Sequence, residues 1–232
     1  MRIGGLQKSS LIDYPGKTSC VLFLAGCNFD CPYCHNPDLA RGRCGQADCP
    51  NEQEVFAFLE SRRGLLDGVV VSGGEPTLSR DLVPACERIK NMGFPVKLDT
   101  NGSRPAVLQD LLDRHLVDYV AMDIKTDPFH YDLLAHEACS PSEILTSIQL
   151  IMDRSEAYEF RTTCVRPLVS RETVEKIARL IQGAKRYALQ RFRPTEILHP
   201  EFFQDMDPAF TEEELQGFQT LAAPWVEACI LR

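Results

Sequence analysis

Val69-Val70-Val71-Ser72-Gly73-Gly74-Glu75-Pro76 holds a strand, a turn and a helix start in one short stretch. Three β-branched residues in succession offer apolar groups to both faces of a strand, as in sheets covered on both sides. The glycines turn the chain, and Pro76 suits a first helical position, where no N–H is needed. A strand followed at once by a helix is the unit from which parallel sheets are built, because parallel neighbours need a crossover between them.

The unit recurs in both directions. Upstream, Thr18 to Ala25 reads as a buried first strand, and Asn51-x-x-Glu54 is a capping box before a helix with Val55, Phe58 and Leu59 on one face. Downstream, Leu82, Cys86, Ile89 and Met92 form a helical stripe, and Pro95 to Asp99 is the third strand. Pro105 opens a helix through Leu108, Leu111 and Leu112, and Asp118 to Asp123 is the fourth strand. Ser140-x-x-Glu143 caps a helix bearing Ile144, Ile148, Ile151 and Met152, and Tyr158 to Cys164 is the fifth strand. A helix from about Glu172 to Gly183 leads to a sixth strand at Tyr187 to Phe192, and Thr211-x-x-Glu214 opens a last helix. The pattern predicts an α/β fold, a partial (β/α)6 TIM-like barrel of parallel strands with outer helices. A closed barrel takes eight such units. No repeat or linker divides residues 1–232, so a single domain is expected. A Rossmann-type sheet is the alternative, but no G-x-G-x-x-G follows the first strand.

With 44% hydrophobic and 25% charged residues, the chain has the composition of a globular protein. Its 25 Lys and Arg stand against 33 Asp and Glu, and a net charge of −8 opposes binding to a nucleic-acid backbone. No apolar run approaches the roughly 20 residues a bilayer requires, so neither nucleic acid nor membrane is an expected partner. Ten cysteines invite a disulfide scaffold, which needs export, yet Met1-Arg2-Ile3-Gly4-Gly5-Leu6-Gln7-Lys8 lacks an apolar signal region. A cytoplasmic location is expected, where clustered cysteines are metal ligands or catalytic thiols.

Directly after the first strand stands Gly26-Cys27-Asn28-Phe29-Asp30-Cys31-Pro32-Tyr33-Cys34-His35-Asn36. Three thiols this close can surround one inorganic centre, but a structural zinc site or a ferredoxin-type cubane takes four ligands. His35, Cys44 or Cys49 could complete a zinc site. Three-fold ligation of a four-iron cluster instead leaves one iron open to a ligand. The position favours chemistry, since α/β sheets and barrels place active sites at the carboxyl ends of their strands.

The spacing of Cys27, Cys31 and Cys34, with Tyr33 before the third, resembles the signature of the radical S-adenosylmethionine (SAM) enzymes. That resemblance implies a [4Fe-4S] cluster on the three cysteines, SAM on the open iron, and a (β/α)6 partial barrel. Gly73-Gly74-Glu75-Pro76 is similar to the motif that holds the methionine amino group of SAM. Its bland use is a tight turn into a helix. Asp99-Thr100-Asn101-Gly102 and Asp123-Ile124-Lys125 are similar to strings of the glycyl-radical-enzyme activating enzymes, where they surround SAM and a monovalent cation. The bland readings are an Asn-Gly turn and a buried ion pair. The resemblance thus implies that Tyr33, Gly73, Gly74, Glu75, Pro76, Asp99, Thr100, Asn101, Asp123 and Lys125 bind cofactor, with the cation near Asp99 and Asp123 and Lys125 on a ligand carboxylate. Arg161 could enter the pocket or pair with an acid on a neighbouring strand. Pyruvate formate-lyase activating enzymes carry a His on the last strand, where this chain has Gln190 or Phe192.

Gly4 to Lys17, Cys34-His35-Asn36-Pro37-Asp38, Gly64 to Gly68 and Asp118 to Asp123 further resemble the anaerobic ribonucleoside-triphosphate reductase activating proteins. This implies an oxidoreductase that cleaves SAM reductively and makes a glycyl radical on class III ribonucleotide reductase, fed by a low-potential electron donor. The alternatives are another glycyl radical enzyme as target, a small-molecule radical SAM enzyme of the 7-carboxy-7-deazaguanine synthase kind, and a non-catalytic iron–sulfur or zinc protein. Of the other thiols, Cys20, Cys86, Cys164 and Cys229 stand among apolar residues and are expected to pack. Cys44 and Cys49 could bind a second metal with Cys139.

Overall fold

The computed structural model describes residues 1–44, 49–134 and 139–232, and the side chains of all of these except 132 and 133. Eight strands among them form one sheet: β1 (Ile3–Ser10), β2 (Ser19–Leu24), β3 (Gly68–Gly73), β4 (Val96–Thr100), β5 (Tyr119–Asp123), β6 (Tyr158–Cys164), β7 (Tyr187–Arg191) and β8 (Cys229–Leu231). Their spatial order is their sequence order; β1 runs antiparallel to β2 and every later pair is parallel. The order is linear, with β1 and β8 at its two ends, so the barrel is partial.

The six expected strands are β2 to β7, and β1 and β8 extend the sheet by one strand at each end. The helices are α1 (Pro37–Ala40), α2 (Glu52–Ser61), α3 (Leu82–Asn91), α4 (Pro105–Asp113), α5 (Pro141–Arg154), α6 (Arg171–Leu180) and α7 (Glu212–Ala222). Capping boxes at Asn51, Ser140 and Thr211 start α2, α5 and α7 as the sequence predicts. Helix α6 starts one residue earlier than expected because Ser170 caps it through Thr173 N. Pro76 opens a short 3-10 turn, Pro76–Leu78, and α3 begins only at Leu82.

Strand residues divide by alternation between two environments. Leu22, Val71, Leu98, Val120 and Phe160 face the helices in the main core, each at most 1% exposed. Burying such a side chain contributes about 1.5–3 kcal/mol. Val21, Val70, Tyr119 and Ala121 face inward and form a second, small cluster with Tyr14. The rings of Tyr14 and Tyr119 lie 5.9 Å apart there. Above this plug, toward the carboxyl ends of the strands, the inward positions turn polar: Ser72, Asp99, Asp123, Arg161, Thr163 and Gln190. Cys20, Cys86 and Cys164 are fully buried as expected, whereas Cys229 on the edge strand is only partly buried against the core. None of the described helices is long and apolar enough to cross a membrane.

Candidate active site

A cavity of about 260 Å3 opens among the polar strand ends and the loop that follows β2. Gly26, at φ +104°, turns that loop out of the strand, and the N–H groups of Gly26 and Cys27 donate to Leu39 and Ala40 of α1. Cys34 N donates to Cys31 O at 2.9 Å, curling the loop so that Cys27, Cys31 and Cys34 all line the cavity. Burial pushes the thiol of Cys27 up to about 11 and that of Cys31 up to about 12. A group that takes them as thiolates must therefore supply the charge that water does not.

No group of three or more His, Cys, Asp or Glu among the described residues is gathered tightly enough for a single metal ion. The three thiols line one cavity. Among the described residues no fourth thiol or imidazole joins them in a zinc tetrad. His35 is exposed, with Nε2 on Arg193 O at 2.8 Å and its ring stacked on Phe192. Cys44 and Cys49 are paired with each other in a disulfide, and Cys139 stands apart from them, so the expected second metal group does not form among the described residues. Tyr33 also lines the cavity, and its buried hydroxyl has no hydrogen-bond partner among the described residues.

The Gly73-Gly74 turn follows from steric demand. A Cβ on Gly73 would stand 2.1 Å from Leu24 O, and one on Gly74 would stand 2.2 Å from Gly26 O. Without side chains the turn packs against the cysteine loop, and Gly74 N and Glu75 N donate to Leu24 O and Gly26 O, both at 2.8 Å. Glu75 is 2% exposed and borders the cavity, yet its carboxylate is occupied by protein donors. Oε1 accepts from Thr77 N, Thr77 Oγ1 and Thr100 Oγ1, and Oε2 from Asn101 N at 2.6 Å. Burial raises its pKa in spite of these donors. Glu75 therefore ties the end of β3 to the end of β4, and Pro76 is buried outside the cavity wall.

The ends of β4, β5 and β6 carry the charge. Asp123 and Arg161 are register partners on β5 and β6, and Arg161 Nε donates to Asp123 Oδ1 at 2.6 Å. Lys125 Nζ donates to Asp123 Oδ2 at 2.9 Å. Asp99 accepts from Ser72 Oγ at 3.1 Å and from Lys97 Nζ, and Arg161 Nη1 lies 3.5 Å from it. Burial alone would raise the Asp123 pKa, but Arg161 and Lys125 outweigh it and hold the carboxyl well below the usual range. Burial likewise opposes the charge on Lys125, and Asp123 reverses that, so its pKa is raised. Arg161 thus does both things open to it in the sequence: it borders the cavity and pairs with acids on neighbouring strands.

A polar chain flanks Cys27. Asn101 Nδ2 donates to Asn28 Oδ1 at 3.0 Å and lies 3.9 Å from Cys27 Sγ. Asn28 donates to Ser103 Oγ, and Ser103 N donates back to Asn101 Oδ1. Gly102, at φ +77°, makes the turn its Asn-Gly pair predicts, and a Cβ there would strike Met122. Gln190 lines the cavity, while Phe192 is buried against Phe203. The segment after β7 docks on the cysteine loop through His199, whose N–H donates to Pro32 O and whose ring bridges Asp30 and Glu201. Sequence reasoning missed Ser72, Lys97, Asn28 and Ser103; the alternation Lys97-x-Asp99 on an inward face was the available signal for Lys97.

Residues 21–186 match the family model of the radical SAM superfamily. The chain is 35% identical over 236 residues to a protein of Methanocaldococcus jannaschii named "Putative glycyl-radical enzyme activating enzyme", covering 99% of this chain and 95% of that one. It is 30% identical over 130 residues to 7-carboxy-7-deazaguanine synthase of Thermococcus kodakarensis, covering 48% and 51%. The fold superposes on the crystal structure of SuiB from Streptococcus suis with a TM-score of 0.66 at 10% identity. That match covers 90% of this chain and 47% of SuiB, so the chain spans about half the length of this structural neighbour.

Proposed function

This chain belongs to the radical SAM superfamily, and from that premise we propose that it cleaves SAM reductively and generates a glycyl radical on a partner enzyme, class III ribonucleotide reductase being the first candidate. Cys27, Cys31 and Cys34 would hold the [4Fe-4S] cluster by which this family works. Bound there, such a cluster would supply the electron for reductive cleavage of SAM, the chemistry from which hydrogen abstraction at the partner's glycine follows. The observation that carries the reading is one cavity lined both by the three thiols and by the Asp123, Lys125 and Arg161 array.

The chain's own residues do the rest. Lys125 and Arg161 present positive charge toward a ligand carboxylate. Tyr33 and Asn101 border the cluster loop, and Thr100 and Glu75 fix the loop carrying Asn101. Gly73 and Gly74 allow the amino-group end of SAM to be met by backbone beside the cysteine loop. An oxygen-sensitive site of this kind belongs in a reducing compartment, with a low-potential donor supplying the electron.

Similarity to 7-carboxy-7-deazaguanine synthase over about half the chain favours a small-molecule substrate as the second reading. Near full-length similarity to the activating-enzyme relative favours the first. Anaerobically reconstituted protein should hold about four irons and, with dithionite, convert SAM to 5′-deoxyadenosine. Mixed with a cognate anaerobic reductase it should yield the glycyl doublet in electron paramagnetic resonance. SAM cleavage without that doublet would move the assignment to the second reading, and activity retained in Cys31→Ala would sink both.

A further inference from the structure

Two carboxylates and three cationic side chains meet at strand ends that border the cavity. Resemblance to the activating enzymes implies a monovalent metal ion at Asp99 and Asp123, but the residues present do not fit one. Asp99 Oδ1 is taken by Lys97 Nζ, with Arg161 Nη1 3.5 Å away, and Asp99 Oδ2 accepts from Ser72 Oγ. Asp123 Oδ1 accepts from Arg161 Nε and Oδ2 from Lys125 Nζ. Every oxygen of the two carboxylates already has a donor from the chain, and the set carries one more positive charge than negative. A sodium or potassium ion would enter a net-positive array and would have to displace an ammonium group.

We infer that Lys97 is the built-in counter-ion of Asp99 and takes the place of a monovalent metal ion, so that SAM binds here without added sodium or potassium. Lys97 and Asp99 lie two apart on β4, so both side chains point into the barrel. Lys97 is 2% exposed, and its Nζ stands 5.9 Å from the centre of the Tyr119 ring. An ammonium group buried this deeply is costly unless paired, which keeps it on Asp99. Lys125 and Arg161 are committed to Asp123, so Asp99 depends on Lys97 for its closest charge. The surplus positive charge, on Lys125 and Arg161, is what remains for an anionic group of the ligand.

The test has two arms, of which only the second rests on the reading of this cavity as a SAM site. In the first, apo protein in tetramethylammonium buffer is titrated with sodium chloride and the sodium NMR line width is followed. Wild type is expected to show no saturable broadening, whereas Lys97→Met, which strips Asp99 of its counter-ion, is expected to show a saturable sodium site. In the second, reconstituted protein is titrated with SAM and the change in the cluster's electron paramagnetic resonance spectrum gives the affinity. Wild-type affinity should stay within about twofold when sodium and potassium are both removed, and that of Lys97→Met should fall on the order of tenfold and recover with potassium. Lys97→Gln replaces Lys97→Met if the latter does not fold, as judged by its circular dichroism melt. A saturable sodium site in wild-type apo protein overturns the inference, as does a tenfold loss of wild-type SAM affinity without the two ions. Variants that gain no cation dependence overturn the assignment to Lys97. Absence of SAM binding under all conditions would count against the proposed function, while the sodium arm would still decide the counter-ion.

Discussion

The side-chain amide of Asn101 lies 3.9 Å from the sulfur of Cys27, held there by Asn28 and Ser103. Phe29 N donates to the same sulfur at 3.4 Å. Hydrogen bonds to cluster sulfurs are among the levers that set an iron–sulfur potential. Asn101→Leu removes one donor, and the midpoint potential of the reconstituted cluster should fall on the order of tens of mV. Spectroelectrochemical titration measures this directly, and an unchanged midpoint would remove Asn101 from any electronic role.

Glu75 should behave as a structural anchor. Glu75→Gln sets an NH2 group against an array of four donors and is expected to destabilise the apo protein by about 2–3 kcal/mol. Urea unfolding of cluster-free protein separates this from any effect on SAM. Wild-type stability in the variant would mean that the four donors find equal partners elsewhere.

Gly74→Ala places a Cβ where Gly26 O and C already stand, at 2.2 and 2.6 Å. The backbone beside Cys27 has to move, so the expected result is lower iron content after reconstitution, with secondary structure retained. Iron-to-protein ratio and circular dichroism report the two. Full iron loading in the variant would show that the cysteine loop tolerates the shift.

His199 ties the segment after β7 to the cysteine loop, with Nε2 2.9 Å from Asp30 Oδ1 and Nδ1 2.9 Å from Glu201 Oε1. The hydrogen bond to Asp30 is the main cause that raises its pKa above the ordinary 6.5. A raised pKa means that the protonated ring stabilises the folded state. That contribution is complete below about pH 6.5 and is lost as pH rises through the folded value. Hydrogen exchange at residues 199–203, corrected for intrinsic rates, should therefore lose protection toward alkaline pH in wild type and show no such step in His199→Gln.

The six central strands were legible because both of their faces are apolar or inward-facing and capping boxes mark two of the helices between them and the helix after the last. Strand β1 was not, since Gly4, Gly5, Gln7, Lys8 and Ser9 lack both alternation and bulk; it forms by pairing with β2 at the sheet edge. Strand β8 has only three residues, too few for a periodic signal. The cysteine triad needed no tertiary information. The array around Asp99 and Asp123 did: the Asp123–Arg161 contact depends on the register of β5 against β6, which no local pattern encodes. Glu75 was legible as a motif residue but not in its use, because the four donors come from two separate strand ends.

The agreement between spatial and sequence order in the sheet has a consequence for biosynthesis. Each strand after the first hairpin adds to the edge its predecessor leaves, so the nascent chain can accrete from its amino end without waiting for a distant partner. The thiols at residues 27 to 34 are made early, while Asp123, Arg161 and Gln190, which line the same cavity, are translated later. A cluster inserted on the ribosome would meet solvent and oxygen on an open sheet edge. The topology thus favours post-translational delivery of iron and sulfide, into a pocket whose far wall has already folded.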